Sequence, residues 1–200
     1  MIENFQQEMT GAMTFPRRGT LNRTIFKTPL VLWRLGLGSF LGKHMLVLST
    51  WGRVSKAPRH TMLSYYEYND SFYVLSGWGE KSDWYQNMRS NPAVALQTDK
   101  VATNALARRV ESLGEYRPVM QALLDGGGDS HFEPWLESLD IQESIDDLVA
   151  KRERVYLVAL DPCGGSGPIQ LESDLKWVWG ALILILGIGF LMDLLKRKKE

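Results

Sequence analysis

"HTMLSYYEYNDSFYVLS" (60–76) sets two runs of apolar and aromatic residues on either side of a short polar break. Tyr68-Asn69-Asp70 is a tight hairpin signal, so 60–68 and 71–76 are expected as antiparallel neighbours. Working outward, "MLVLST" (45–50) precedes them, and "AVALQT" (93–98) and "VATNALARRV" (101–110) follow, with "TDK" (98–100) as a second tight turn. "RVYLVAL" (154–160) returns the chain to the sheet. Helical stretches lie around these strands. Residues 27–43 begin with Thr28 as an N-cap and Pro29 at the first helical position, and weaken near Gly36 and Gly38. Residues 82–92 read as a short helix capped by Ser82 or Asp83 and ended before Pro92, and 115–125 and about 133–152 as acidic helices. Hairpin-linked strands with peripheral helices indicate an α+β fold built on an antiparallel barrel.

Two further segments follow the barrel pattern. "LDPCGGSGPIQLESD" reads as a Gly/Pro/Ser-rich linker, placed at 163–174. "WVWGALILILGIGFLM" (177–192) carries no charge and has no polar stripe, and the basic cluster Lys196–Lys199 comes soon after it. Trp177 and Trp179 at one end and the cluster at the other suit interfacial anchors. The expectation is a soluble domain (1–162) joined to a membrane-anchor helix (175–200).

Charge balances at 23 basic and 23 acidic residues, but it is segregated. No Asp or Glu lies between Met9 and Tyr66, where Arg17, Arg18, Arg23, Lys27, Arg34, Lys43, Arg53, Lys56 and Arg59 all fall. From Glu111 to Asp147 ten acids face Arg117 alone. A basic first third suits an anionic ligand or an anionic membrane surface, unless the two regions simply complement each other in the fold. Cys163 is the single cysteine, which excludes an intrachain disulfide, and His44, His60 and His131 show no ligand-like spacing. With a start that lacks an apolar h-region, this points to the cytoplasmic side of the membrane, whereas the positive-inside tendency of Lys196–Lys199 would put the domain outside for one simple span, so the topology of the tail stays open. No protein metal site is expected, and nothing points to nucleic acid.

Common catalytic motifs are missing: there is no Walker loop, dinucleotide fingerprint or HExxH, and "RLGLG" lies in a helix rather than after a strand. Two constellations remain. "STWGRVSKAPRHTM" (49–62) is a turn after a strand that presents backbone N–H groups beside Arg53, Lys56, Arg59 and His60, with hydroxyls at Thr50, Ser55 and Thr61. That chemistry makes an anion cradle, or else an exposed basic hairpin. "SGWGEKSDWYQN" (76–87) has small residues at a strand end, with Trp78, Trp84 and Tyr85 to pack on a flat ligand or in the core.

Together these motifs resemble the deazaflavin-dependent nitroreductase family. The resemblance rests on T-x-G-R-x-S with P-R following, S-G-W-G, and D-W-Y-x-N-x-R-x-N-P; it covers residues 17–110 closely and extends loosely to Pro162. It implies a split β-barrel related to pyridoxamine-phosphate oxidases, and hydride transfer from reduced coenzyme F420 to a quinone, enone or nitro compound. It further implies that Arg53, Ser55, Lys56, Arg59 and His60 lie along the phosphate and polyglutamate tail, and that Ser76, Gly77, Trp78, Gly79 and Trp84 line the deazaflavin. The family usually reads G-R-K-S-G, whereas this chain has Val54 and Lys56, which displaces the charge by two positions. Other readings of the same residues are a non-catalytic deazaflavin carrier or sensor, a flavin-mononucleotide (FMN) oxidase of the same barrel type, and a lipid-headgroup module. The tail suggests a membrane quinone as acceptor, and barrels of this kind are often homodimers. Tyr65, Tyr85 and Tyr156 are candidate proton donors to the product.

Overall fold

The computed structural model describes residues 28–126 and 132–197, with side chains as far as Ile188. Arg17, Arg18, Arg23, Lys27, His131 and the last residues of the basic tail lie outside that description. Six strands are β1 (Met45–Trp51), β2 (Pro58–Tyr68), β3 (Ser71–Leu75), β4 (Ala93–Gln97), β5 (Ala102–Arg109) and β6 (Leu157–Cys163). They close into a barrel in the order β1-β2-β3-β6-β5-β4, every pair antiparallel. Closure removes the exposed edges that an open antiparallel sheet of this size would leave. The expected α+β barrel is the observed architecture.

Period-two alternation explains how the sheet buries both faces. Leu46, Leu48, Phe72, Val74, Val94, Leu96, Val158 and Leu160 fill the barrel interior. Alternate residues Tyr73, Leu157 and Ala159 pack outward under α4 (Leu113–Asp125), α5 (Phe132–Ser138) and α6 (Ile145–Ala150). A third, smaller cluster sets Trp33 on Val47 and Met62, on the outer face of β1 and β2. Strand β6 lies about three residues later than the sequence suggests, because 151–154 form a turn and Leu157 supplies the first ladder pair, with Leu75. Pro162 is tolerated near the strand end, opposite Ala105.

The N-terminal helix is broken where its glycines lie. It runs as α1 (Thr28–Leu32), a wider π-type turn (Trp33–Leu37) and α2 (Gly38–Leu41), with Gly36 at φ 91°. The tight turns form as the sequence suggests: Asn69 and Asp70 both have positive φ, and Thr98 N–H bonds Val101 O at 2.7 Å. Helix α3 (Asp83–Ser90) crosses one mouth of the barrel.

Residues 165–174 lie along the barrel rather than away from it. Gln97 exchanges two hydrogen bonds with the Leu171 backbone, at 3.1 and 2.8 Å, and Asn104 Nδ2 donates to Gly165 O at 2.7 Å. The chain then enters α7 (Trp177–Arg197). Among the described residues no helix is long and apolar enough to cross a membrane. The fold therefore supplies a C-terminal helix, and does not itself carry the membrane-spanning part of the expectation.

Candidate functional site

Strand direction gathers the two sequence constellations at one mouth of the barrel. β1 ends there at Trp51 and β2 begins there at Pro58, while β3 ends at Leu75 and β4 starts at Ala93. The 52–57 turn and the 76–82 turn therefore face the same opening, with Arg109 and Tyr156 between β5 and β6 beside them.

Helix α3 holds the first turn. Asn87, 4% exposed, accepts from Arg53 N–H at 3.0 Å and from the Arg53 guanidinium at 3.4 Å. Its Nδ2 donates to Thr50 Oγ1 at 3.2 Å, so one buried amide ties the end of β1 to the turn. The Arg53 guanidinium also reaches Asp83 Oδ1 at 3.3 Å. Inside the turn, Gly52 N–H bonds Ala57 O at 2.9 Å and Lys56 N–H bonds Gly52 O at 2.8 Å. Lys56 adopts φ 54°, the left-handed region, which accounts for glycine being common at this position in the family resembled. Lys56 and Arg59 are exposed, and no carboxylate among the described residues pairs with either. Ser55 Oγ accepts from Ala57 N–H at 3.4 Å. His60 and Thr61 are half-buried on β2, and His60 Nδ1 sits 2.9 Å from the buried Ser49 hydroxyl. Burial pushes the His60 imidazole below its usual pKa.

The second turn is rigid for a different reason. Ser76 is buried, donates to Gly79 O at 2.8 Å and lies 2.7 Å from the Ser82 hydroxyl. Gly79 has φ 54°, and a Cβ there would come within 2.9 Å of the Tyr156 ring. Gly77 O accepts from Trp135 Nε1 at 3.2 Å. Trp78 is 42% exposed at the mouth. Trp84 instead points inward: it is 6% exposed, packs with Met88 in the barrel core and meets Tyr85 edge-on at 6.0 Å. Tyr85 meets Tyr156 edge-on at 5.3 Å, and the Arg109 guanidinium lies 4.2 Å over the Tyr156 ring. Burial raises the Tyr85 phenol, which stays protonated through the neutral range.

The mouth thus combines exposed cations at Lys56 and Arg59, a clamped Arg53, an exposed indole at Trp78 and close backbone at Gly77 and Gly79. Such a donor set suits a flat molecule with an anionic tail. Asn87 belongs to the D-W-Y-x-N-x-R-x-N-P motif, but its role as the support of the 52–57 turn is not legible in the sequence, and Arg109, an Arg ending a strand, carries no motif of its own. A cavity of about 370 Å³ lined by Lys43, Tyr65, Tyr66, Lys100 and Leu123 lies toward the opposite end, with Tyr65 OH donating to Gly42 O at 3.1 Å. Burial raises the Tyr65 phenol too, and this tyrosine lies away from the mouth. Among the described residues no group of His, Cys, Asp or Glu could hold a metal ion.

Residues 35–125 match the model of the F420H(2)-dependent quinone reductase family. A comparison with curated proteins finds no match. Similar solved structures include the heme storage protein HutZ from Vibrio cholerae (16% identity, 74% of this chain and 97% of that one, TM-score 0.42). An F420-H2 dependent reductase, FDR-A, is 19% identical over 60% of this chain and 94% of its own, with TM-score 0.36. General Stress Protein 26 from Bacillus anthracis is 15% identical over 64% and 88%, with TM-score 0.40.

Proposed function

Taking residues 35–125 as a segment of the F420H2-dependent quinone reductase family, and hence the chain as an oxidoreductase that uses coenzyme F420, we propose that it reduces an electron-poor acceptor at the barrel mouth. The acceptor is a quinone, with enones and nitro compounds as further substrates. The bound deazaflavin supplies the hydride; the protein's contribution is to hold, orient and dehydrate.

Each residue group then has a task. Lys56 and Arg59 attract the anionic tail, while the Asn87 clamp fixes the Arg53 backbone and guanidinium so that the turn is ordered before binding. Ser55, His60 and Thr61 extend polar contacts along β2. Gly77 and Gly79 allow a close approach of a flat ring, and Trp78 covers it. Trp84 and Ser76 act from beneath: the indole fills the core under the mouth, and the serine hydroxyl locks the 76–82 turn. Tyr156, steadied by Arg109 and Tyr85, is the phenol nearest the mouth that can donate a proton to a reduced acceptor. Hydride transfer needs no strong acid–base pair here, because the charge that develops on the acceptor is met by fixed donors.

The carrying observation is the convergence on one barrel mouth of the Trp78/Gly79 turn and of exposed cations, Lys56 and Arg59, that pair with no carboxylate among the described residues. Titration with F420, read by absorbance, should show binding that weakens when Lys56 or Arg59 is changed to alanine. Reduced F420 with the protein should be oxidised by a soluble quinone. Undiminished affinity in both variants would overturn the site. Binding without turnover of any acceptor would leave a carrier.

A second observation favours action at a lipid surface: α7 exposes an apolar run from Trp177 to Ile188. The domain division proposed is a barrel (1–162), a connecting stretch (163–174) and a lipid-facing helix (175–200), on the cytoplasmic side. Deleting 175–200 should leave F420 binding intact and abolish co-flotation with vesicles.

A further inference from the structure

The break at Gly36 leaves three successive carbonyls, Trp33, Arg34 and Leu35, without a regular helix to use them. All three are taken by the segment leading into α7 and by its first turn. Ser173 Oγ donates to Trp33 O at 3.2 Å, Leu175 N–H to Arg34 O at 3.0 Å, and Trp179 Nε1 to Leu35 O at 2.8 Å. Arg34 adds a bidentate pair with Asp174, at 2.7 and 2.6 Å. Gly36 itself faces Lys176, and a Cβ there would come within 3.0 Å of the lysine stem. Upstream, Gln97 and Asn104 pin the same stretch to β4 and β5. Residues 165–179 are therefore docked by four hydrogen bonds to the broken helix and three to barrel strands, besides the Leu175 backbone bond.

Both partners in this junction leave apolar side chains uncovered. On the broken helix, Phe40 is 74% exposed, with Val31 and Leu37 also open. On α7, five consecutive residues, Leu182 to Leu186, are 45–70% exposed. At about 100° per residue, five in a row circle the helix completely. A partner that buries one stripe would leave the rest of this belt in water, whereas lipid covers a helix that is apolar all round. Exposed Lys43, directly after α2, supplies positive charge for anionic headgroups.

We propose that the broken helix 28–41 and α7 form one rigid, lipid-facing seat, so that the barrel is held against a bilayer in a fixed orientation, with Phe40 entering the lipid beside α7. This rests on the lipid-surface reading above. The seat holds Phe40 near the start of β1, whereas Val54 follows its far end, roughly 20 Å away along the strand.

The test uses the full chain with Cys163→Ser, labelled with an environment-sensitive fluorophore at Phe40→Cys or Val54→Cys, and mixed phosphatidylcholine–phosphatidylglycerol vesicles. The label at 40 should shift to the blue on adding vesicles, and the label at 54 should not. Phe40→Ser should reduce vesicle partitioning by about tenfold. Gly36→Ala, which crowds the Lys176 stem and strains the left-handed turn, should reduce the shift at 40 while flotation persists through α7. If the chain floats but position 40 stays in water, or if Gly36→Ala leaves the shift unchanged, the seat is overturned and the lipid-surface reading stands. If the full chain does not float at all, both fall. Near-ultraviolet circular dichroism and F420 titration on each variant separate these outcomes from loss of the barrel.

Discussion

Strand β2 ends in two turns that could hardly be built more differently. At Tyr68–Ser71 two residues, Asn69 and Asp70, take φ 48° and 60° and close the hairpin locally. At 52–57 the chain makes a wider excursion whose shape depends on Asn87, from a helix more than thirty residues later. A turn that only sets register needs the right backbone angles and nothing else. A turn that must present Lys56 and Arg59 to a ligand needs an outside support, because mutually repelling cations do not hold a loop in place.

The largest expected effect lies in the charges. Lys56→Ala combined with Arg59→Ala should weaken F420 binding about a hundredfold, at roughly tenfold per lost charge-assisted contact. Affinity of the wild type should fall steeply with added salt, and that slope should flatten in the double variant. Asn69→Ala with Asp70→Ala should leave affinity unchanged, since the register turn is at the other end of the barrel. Equal losses from both pairs would erase the distinction between the turns.

Asn87 comes next. Asn87→Ala leaves the part-buried Arg53 N–H without its acceptor and takes away the Nδ2 donor to Thr50 Oγ1, whose hydroxyl keeps its bond to Arg59 O, at a cost of about 1–3 kcal/mol of stability measured by urea unfolding. Proteolysis should then cut first within 52–57. No alanine change at Asn69 should move cleavage there.

A smaller and more diagnostic effect separates strain from function at one residue. Lys56 and Asn69 both sit in the left-handed region. Lys56→Gly should raise stability by about 1 kcal/mol by relieving that strain, and Asn69→Gly by less, because asparagine already tolerates it. Only Lys56→Gly should also weaken F420 binding. A more stable protein that binds more weakly would mean that the lysine is kept for its charge against its backbone preference.

How much of this was legible in the sequence follows the same division. The register turn, the barrel strands and the helix break at Gly36 depend on local propensity and alternation, and residues such as Asn69, Asp70 and Gly36 declare themselves. The basic turn was visible as charge, but its support was not. Asn87 is one polar residue in a helix, and its role exists only once α3 lies across the mouth. Trp84 illustrates the converse: an indole beside a Gly-rich turn reads as ligand-facing or core with equal ease, and the helix phase turns it into the core with Tyr85 and Met88. Residues 163–174 read as a Gly/Pro/Ser-rich linker. Their composition suits a flexible connection, yet Gln97 and Asn104 hold them flat on the barrel, which is a property of those partners and not of the segment.

The smallest expected effect is a pH dependence at the turn end of β2. His60 faces Ser49 across the β1–β2 ladder, and burial lowers its pKa from the ordinary value near 6.5. The unfolded chain therefore takes up a proton at a higher pH than the folded one. His60 contributes stability that is fully present above the unfolded pKa and is lost as pH falls through the folded value. Urea unfolding should show the wild type losing stability from pH 7 toward pH 5, with the loss reduced in His60→Gln, whose amide can keep the bond to Ser49 without titrating. The paired carboxylate Glu115, held low chiefly by its hydrogen bond to Arg108, acts the same way only below the usual carboxylate range. Identical pH slopes in wild type and His60→Gln between pH 7 and 5 would remove His60 from the account and leave the turn end of β2 no more pH-sensitive than the register end.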